Sequence, residues 1–221
     1  HFDISYELEN QIKGTSKEHY LTEIRAVITK CTFSYTRQIE MKGLGHAILC
    51  GETLIGDQPF AVLLADDLCD APGKGVLAQM VDLYKKYGCS IVAIEEIPKE
   101  DTNKYGVIAG NEIEPGIYMV KDMVEKPEPE VAPSNLAIIG RYILTPDIFN
   151  IIRETKPGKG GEIQITDALL TQAKKGMVLA FKFEGQRFDC GSIDGFVKAT
   201  NYFYDKETKK EAAAKKASGA K

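Results

Sequence analysis

Two short acidic motifs, far apart in the chain, have the residue types that metal-assisted phosphate chemistry needs. In the first, an apolar run from Phe60 ends at the adjacent carboxylates Asp66 and Asp67, and in the second Asp189 lies two residues before Gly191. Unbroken apolar runs are typical of buried parallel strands, and ligands of open α/β sheets bind beyond the carboxyl ends of such strands. Two carboxylates brought together at that edge can hold Mg²⁺ against the phosphates of a substrate.

A lysine and a glutamate lie between the acidic motifs, in the sequence Glu125-Lys126-Pro127. Proline disfavours a helical conformation in the residue before it, so we expect an extended backbone at Lys126 that aims its ammonium group at one place. Such a group suits a phosphate, and the Glu125 carboxylate can accept hydrogen bonds from two sugar hydroxyls. With the acidic motifs, this favours phosphoryl-type chemistry on a nucleotide and a sugar phosphate. A solvated surface turn stays open as the alternative, because Glu128 and Glu130 continue the charge.

Each of these signals also has a plain structural explanation. Aspartate commonly begins a turn after a strand. Adjacent strand residues point to opposite sides, so at most one of Asp66 and Asp67 is expected to meet a metal directly. Gly43, in a Gly-x-Gly loop, and Gly106, at the start of a strand, could let the backbone approach a ligand, or could form an ordinary turn or bulge. The order of the motifs, rather than any one of them, favours the functional interpretation.

The composition is that of a folded protein with a full core. The chain has 221 residues, of which 43% are hydrophobic and 27% charged, and such values are typical of globular domains. A net charge of -4 without a strong basic face does not favour a nucleic-acid partner. No apolar stretch approaches the ~20 residues of a membrane helix. The five cysteines are widely spaced and form no Cys-x-x-Cys, which indicates a reduced, cytoplasmic protein rather than a disulfide framework or zinc site.

Alternating strand and helix patterns predict an α/β fold with a parallel sheet. Residues 3–30 have helical spacing interrupted near Gly14, which indicates two helices, and the alternation at 32–37 indicates a strand. The run at 60–65 is expected to be a central strand. Further strands are predicted at 90–95, 105–109, 117–124, 136–144 and 177–184, and helices at 75–87, 145–154, 164–175 and 193–204. The lysine- and alanine-rich residues from 206 onward indicate a frayed helix or a disordered tail.

Nine motifs, in the same order along the chain, resemble those of the bacterial UTP–glucose-1-phosphate uridylyltransferases, and the resemblance covers roughly residues 1–204. Given with their first residues, they are HFD with the nearby YELE (His1), KGLGHA (Lys42), LADDL (Leu64), KYGV (Lys104), VEKP (Val124), APSNLA (Ala132), GRY (Gly140), GEIQITD (Gly161) and DCG (Asp189).

The resemblance implies a Rossmann-like nucleotidyltransferase fold, with a mixed, mostly parallel central sheet flanked by helices. It implies an Mg²⁺-dependent reaction in which UTP and glucose 1-phosphate give UDP-glucose and pyrophosphate. It also implies a cytoplasmic homodimer or homotetramer.

The resemblance further assigns roles to seven residues, of which Lys126, Asp66 and Asp189 would form the catalytic set. The roles are Mg²⁺ ligation for Asp66 and Asp189, binding of the sugar phosphate for Lys126, contacts with the glucose hydroxyls for Glu125 and Gly106, and positions at the uracil and ribose for Gln38 and Gly43.

The family has an N-terminal strand and a Gly-rich loop that holds the triphosphate, and neither is found in the sequence that opens at His1. We therefore expect residues 1–204 to form one nucleotidyltransferase domain without that part, followed by a flexible tail at 205–221. A chain of these 221 residues alone is expected to be inactive or nearly so.

Two other functions stay open on the sequence. A sister enzyme that joins dTTP or ATP to a sugar 1-phosphate would share the fold, and a comparison of UTP, dTTP and ATP separates these enzymes. A non-catalytic module that binds nucleotide sugars would bind UDP-glucose without pyrophosphate chemistry.

Overall fold

The computed structural model of the chain describes residues 4–218. Residues 1–3, which open the first motif, and residues 219–221 of the predicted tail lie outside the described residues. The chain divides into two compact units, one ending at Ile39 and the other beginning at Glu40. The prediction that residues 1–204 form a single domain stays a prediction.

The first unit contains the two predicted helices, α1 (Tyr6–Ile12) and α2 (Glu18–Ile28). The strand expected at residues 32–37 is wrong, because this segment has no regular secondary structure. Alternation supplies a strand's side-chain pattern but not the neighbouring strand that its backbone must pair with, and the described part of this unit contains none.

The helices and strands of the second unit follow the predicted order closely. Its helices are α3 (Leu44–Leu49), α4 (Glu52–Ile55), α5 (Val76–Tyr87), α6 (Ile148–Glu154), α7 (Ile165–Ala173) and α8 (Ile193–Ser218). Its strands are β1 (Phe60–Leu63), β2 (Asp67–Asp70), β3 (Ser90–Glu96), β4 (Gly106–Glu114), β5 (Ile117–Glu125), β6 (Leu136–Leu144), β7 (Val178–Lys182) and β8 (Gln186–Asp189). Helix α8 continues beyond its predicted end at residue 204, because the lysines and alanines that follow are strong helix formers. The flexible tail stays a prediction.

Six strands form one mixed sheet in the order β1-β6-β3-β7-β5-β4. The predicted α/β architecture, a mixed central sheet flanked by helices, is confirmed. Strands β1, β3 and β7 run in one direction, as the strand–helix alternation predicts, but β6 lies antiparallel between β1 and β3. The strands of the main sheet therefore pair mostly antiparallel, whereas a mostly parallel sheet was expected. One reason is the β4–β5 hairpin, whose two-residue turn at Pro115 and Gly116 requires antiparallel strands.

The core lies on both faces of this sheet. One apolar cluster joins β-strand residues to α3, α6 and α7, and the other joins the opposite side of the sheet to α5. Residues 91–94 of β3 are fully buried, which explains why this strand is an unbroken apolar run. Strand β1 lies at the edge of the described sheet. The prediction of a central strand at residues 60–65 is therefore wrong.

A second sheet consists only of β2 and β8, and it brings the two acidic motifs together. In its antiparallel register Asp67 is opposite Asp189, and Leu68 is opposite Phe188. The sequence analysis missed both strands. Each has only four residues, too few for a period-2 pattern to stand out from a polar loop.

Strand β6 approaches the turn before β2 so closely that residue 140 has no room for a side chain. A Cβ on Gly140 would lie 2.6 Å from Leu64 Cβ, and closer still to Asp67 Oδ2. The N–H group of Gly140 donates to the same carboxylate oxygen at 2.8 Å. This contact fixes the turn that carries Asp66.

We predict that Gly140→Ala lowers the free energy of unfolding by about 1–3 kcal/mol, because the added methyl group overpacks this contact. The measurement is urea unfolding followed by circular dichroism. Gly75→Ala is the matched control, since Gly75 has φ -57° and a Cβ there would meet nothing within 4 Å. Equal stability of the two variants would show that β6 and the turn are not in close contact.

Candidate active site

A cavity of about 480 Å³ in the second unit is lined by residues of six of the nine motifs and by Gly140 and Tyr142 of a seventh. Its walls come from the turn between β1 and β2, the facing ends of β4 and β5, the middle of β6, the start of α7 and the end of β8. The predicted site residues that line it are Asp66, Gly106, Glu125, Lys126 and Asp189.

Of the other two predicted site residues, Gly43 does not line the cavity. Gln38 belongs to the first unit, and its role at the uracil stays a prediction. Gly43 precedes α3 with φ 91°, and a Cβ there would lie 2.7 Å from Glu162 Cβ and 2.9 Å from the Ile163 carbonyl oxygen. The close approach that requires glycine is thus to the segment before α7, and contact with a ribose stays a prediction.

Asp66 and Asp189 come together beside Gly191. Asp189 Oδ1 lies 3.1 Å, and Asp66 Oδ2 3.4 Å, from the point that a Cβ on Gly191 would occupy. The Cys190 N–H group donates to the Asp66 carbonyl oxygen at 2.7 Å, which holds the two segments together. Two acids separated by more than a hundred residues therefore face one small volume at the cavity wall.

Asp67 is turned away from that volume and is buried. Its Oδ2 accepts the hydrogen bond from Gly140, and its Oδ1 is bound by the Nε of Arg187. Arg141 strengthens the same turn, since its guanidinium donates to the Leu64 carbonyl oxygen at 3.1 Å and to that of Asp67. Both adjacent aspartates line the cavity, but both carboxylate oxygens of Asp67 already have partners. The expectation that at most one of the two meets a metal directly stays a prediction.

Arg187, which the sequence analysis missed, is the cation that organises the acidic residues. Its side chain is 6% exposed. Besides Asp67, its guanidinium contacts Asp189 Oδ2 at 3.1 Å and lies 3.7 Å from Glu95 Oε2. The ring of Tyr105 lies against it, with 5.0 Å from the guanidinium carbon to the ring centre. The signal for Arg187 was its position two residues before Asp189, which places both side chains on one face of a strand.

These contacts shift the pKa values of Arg187 and Asp189 toward their ionised forms. Burial by itself lowers the pKa of Arg187, but hydrogen bonds to Asp67 and Tyr105 outweigh it and the pKa is raised. Burial likewise acts to raise the pKa of Asp189, yet the Tyr105 hydroxyl and the Arg187 charge bring it below its ordinary value. For Glu95, burial dominates over the attraction of Arg187, so its pKa is raised. Asp189 is therefore the carboxylate kept in the form that binds cations.

A second group of residues suits a sugar hydroxyl. The Thr166 hydroxyl, at the start of α7, donates to Glu125 Oε2 at 2.6 Å. A Cβ on Gly106 would lie 3.1 Å from both the Thr166 and the Glu125 oxygen, so only glycine leaves this pair open to the cavity. Burial, and after it the negative charge of Glu125, raises the pKa of the nearby Tyr142 and keeps that phenol neutral.

Lys126 has a left-handed backbone, with φ 48°, and the extended conformation expected from Pro127 is wrong. Its N–H group donates to the Tyr105 carbonyl oxygen at 3.0 Å, which extends the β4–β5 pairing by one bond and turns the chain there. It is the one non-glycine residue with positive φ among residues 4–218. Such a conformation costs about 1–3 kcal/mol and is concentrated at functional sites. The ammonium group lies 3.9 Å from Glu125 Oε1.

Two absences concern the described residues only. Among the side chains that the structure describes, no three of His, Cys, Asp or Glu are grouped to hold a metal ion, so the candidate metal site is a pair of carboxylates. The same part of the chain has no helix that is both long and apolar enough to span a bilayer.

Comparisons with known proteins agree on one family. The family model described as nucleotidyl transferase matches residues 5–206. A UTP–glucose-1-phosphate uridylyltransferase of Pseudomonas aeruginosa is 69% identical over 206 residues, which are 93% of this chain and 74% of that protein. The crystal structure of an apo UDP-glucose pyrophosphorylase is 63% identical, with a TM-score of 0.89 over 93% of this chain and 76% of its own.

A second solved structure, of a UDP-glucose pyrophosphorylase complexed with UDP-glucose, is 60% identical, with a TM-score of 0.84 over 93% of this chain and 75% of its own. The agreement of family model, relatives and structures extends over nearly the whole described chain. The chain therefore belongs to the nucleotidyl transferase family and, within it, to the UTP–glucose-1-phosphate uridylyltransferases.

Proposed function

We propose that the protein transfers UMP from UTP to glucose 1-phosphate with the help of a divalent metal, giving UDP-glucose and pyrophosphate. The observation that carries the proposal is that one cavity is lined both by the acids Asp66 and Asp189 and by the pair Glu125 and Lys126. The names of the similar proteins, and the UDP-glucose complex of one of them, support the same reaction.

The residues present fit Mg²⁺ as the metal. Mg²⁺ is usually bound by one or two carboxylates together with waters and substrate phosphates, rather than by a cage of protein ligands. Asp66 Oδ2 and Asp189 Oδ1 provide two such oxygens beside Gly191. When bound, the metal would supply charge neutralisation at the phosphate oxygens.

The remaining chemistry is alignment and neutralisation by the chain's own residues. Lys126 would bind the phosphate of glucose 1-phosphate and offset the repulsion between the two anionic substrates. Glu125 is fixed by Thr166 through Oε2, and its Oε1 would accept a hydrogen bond from a glucose hydroxyl. A phosphate oxygen of the sugar would then attack the α-phosphorus of UTP in line with the departing pyrophosphate, without a covalent enzyme intermediate. The predicted cytoplasmic location and homo-oligomeric state stay predictions.

The experiment that tests this function is pyrophosphate release by the full-length gene product with glucose 1-phosphate, Mg²⁺ and one of UTP, dTTP or ATP. Release that is fastest with UTP supports the proposal. Faster release with dTTP or ATP would identify a sister enzyme. Binding of UDP-glucose without release from any nucleotide would identify a non-catalytic module.

We predict that Lys126→Ala lowers kcat/KM by about a hundredfold, because one phosphate-binding charge is lost. Lys126→Asn separates charge from backbone, since asparagine tolerates positive φ but has no charge, and it should be equally impaired. Lys121→Ala, at an exposed lysine of β5, is the control and should be close to wild type. An active Lys126→Asn enzyme would show that the turn matters and the ammonium group does not.

We predict that Gly106→Ala raises the KM for glucose 1-phosphate about tenfold and leaves the KM for UTP within about twofold. The added methyl group enters the space shared by Glu125 and Thr166, and one methyl group in a fitted pocket has an effect of this size. Steady-state kinetics with each substrate varied in turn is the measurement, with Gly75→Ala as the control. A matching rise in both KM values would contradict a sugar subsite at this position.

A further inference from the structure

The two oxygens of the Asp189 carboxylate have different surroundings. Oδ2 accepts a hydrogen bond from the Tyr105 hydroxyl at 2.7 Å and forms an ion pair with Arg187 Nη2 at 3.1 Å. Oδ1 accepts a hydrogen bond from the Gly191 N–H group at 3.1 Å and lies on the side that faces Asp66. We propose that Tyr105 and Arg187, here called the Tyr105–Arg187 brace, make Asp189 a one-oxygen metal ligand, so that the site selects small cations such as Mg²⁺ over larger ones such as Ca²⁺. This inference rests on the proposed function, in which Asp189 binds the metal.

The brace is held from several directions, which is why the carboxylate cannot rotate freely. Arg187 is fixed by the buried Asp67, and lies near Glu95 of the main sheet. The Tyr105 ring packs on the guanidinium, while the backbone carbonyl of Tyr105 accepts the N–H group of Lys126. Rotation of the Asp189 carboxylate would break the hydrogen bond from Tyr105 and the ion pair with Arg187. A hydrogen bond to an ionised group is about twice as strong as a neutral one.

Restriction to one oxygen bears on cation choice because the two ions bind carboxylates differently. Ca²⁺ takes about six to eight oxygen ligands and often binds both oxygens of one carboxylate, whereas Mg²⁺ takes about six and keeps several waters. With Oδ2 engaged by the brace, Asp189 offers Ca²⁺ no second oxygen. The affinity for Mg²⁺ is not reduced, since Mg²⁺ needs only Oδ1 of this carboxylate.

A role of Tyr105 and Arg187 in folding alone, or in the local charge alone, predicts a different result. Loss of the Arg187 charge would change the affinity for every divalent cation by a similar factor. Loss of the one-oxygen restriction changes the ratio of affinities instead. The decisive substitution is therefore Tyr105→Phe, which removes one donor to Oδ2 and keeps both the ring against Arg187 and the net charge.

The experiment measures dissociation constants of Mg²⁺ and Ca²⁺ by their competition with Mn²⁺, detected by electron paramagnetic resonance, on the full-length protein with UDP-glucose present. Tyr105→Phe is expected to lower the ratio of the Ca²⁺ to the Mg²⁺ dissociation constant by about tenfold. This is the effect of one hydrogen bond to a charged group. Arg187→Lys should shift the ratio in the same direction. Tyr87→Phe is the matched control, because the Tyr87 hydroxyl also donates to a carboxylate, that of Glu114 at 2.5 Å, on the exposed surface.

An unchanged ratio in Tyr105→Phe, or an equal change in both dissociation constants, overturns the inference even if Arg187→Lys fails to fold. Asp189→Asn separates this failure from failure of the proposed function. If Asp189→Asn abolishes Mn²⁺ binding while Tyr105→Phe leaves the ratio unchanged, the metal site is supported and only the inference on cation selectivity is overturned. If Asp189→Asn leaves Mn²⁺ binding intact, Asp189 is not a ligand and both proposals are overturned.

Discussion

The buried guanidinium of Arg187 is the interaction on which the arrangement of the cavity depends. It lies among carboxylates from three strands, Asp67 of β2, Glu95 of β3 and Asp189 of β8. A two-stranded sheet of four-residue strands is at best marginally stable alone, and these contacts attach it to the main sheet. Removal of one partner from a buried ion pair commonly costs about 3–5 kcal/mol, because the other charge is left without compensation. The acids and the arginine thus stabilise one another. The position of Asp189 as a candidate metal ligand therefore depends on Arg187.

Tyr105 connects the candidate metal site to the segment that carries Glu125 and Lys126. Its hydroxyl donates to the candidate metal ligand Asp189, and its carbonyl oxygen accepts the N–H group of Lys126. The residue beside it, Gly106, faces Glu125 across the β4–β5 pairing. The start of β4 therefore positions Asp189, Lys126 and Glu125 relative to one another. Alignment of two anionic substrates, which is most of what this reaction asks of a protein, can come from this rigid connection rather than from any one reactive side chain.

Sequence reasoning identified the elements whose patterns are long or end at a clear signal. Strand β6 has the predicted bounds, and α5 ends where predicted, with Gly88 in the left-handed conformation that glycine permits. The motif order also identified five residues that line the cavity. The remainder depended on tertiary contacts. The spacing of Arg187 and Asp189 is visible in the sequence, but the contacts of Arg187 with Asp67 and Glu95 form only in the folded chain. The positive φ of Lys126 accompanies a hydrogen bond to Tyr105, against the preference imposed by Pro127. The edge position of β1 depends on β6, which is more than seventy residues later in the chain.

The most direct test of the two-carboxylate site is anomalous diffraction from crystals of the full-length protein grown with Mn²⁺ and UDP-glucose. We predict one anomalous peak at the cavity wall, bound by Oδ2 of Asp66 and Oδ1 of Asp189, with Asp189 Oδ2 still hydrogen-bonded to Tyr105 and ion-paired with Arg187. A peak bound by both oxygens of Asp189 would contradict the one-oxygen arrangement. A peak elsewhere, or none at these two acids, would contradict the metal site itself.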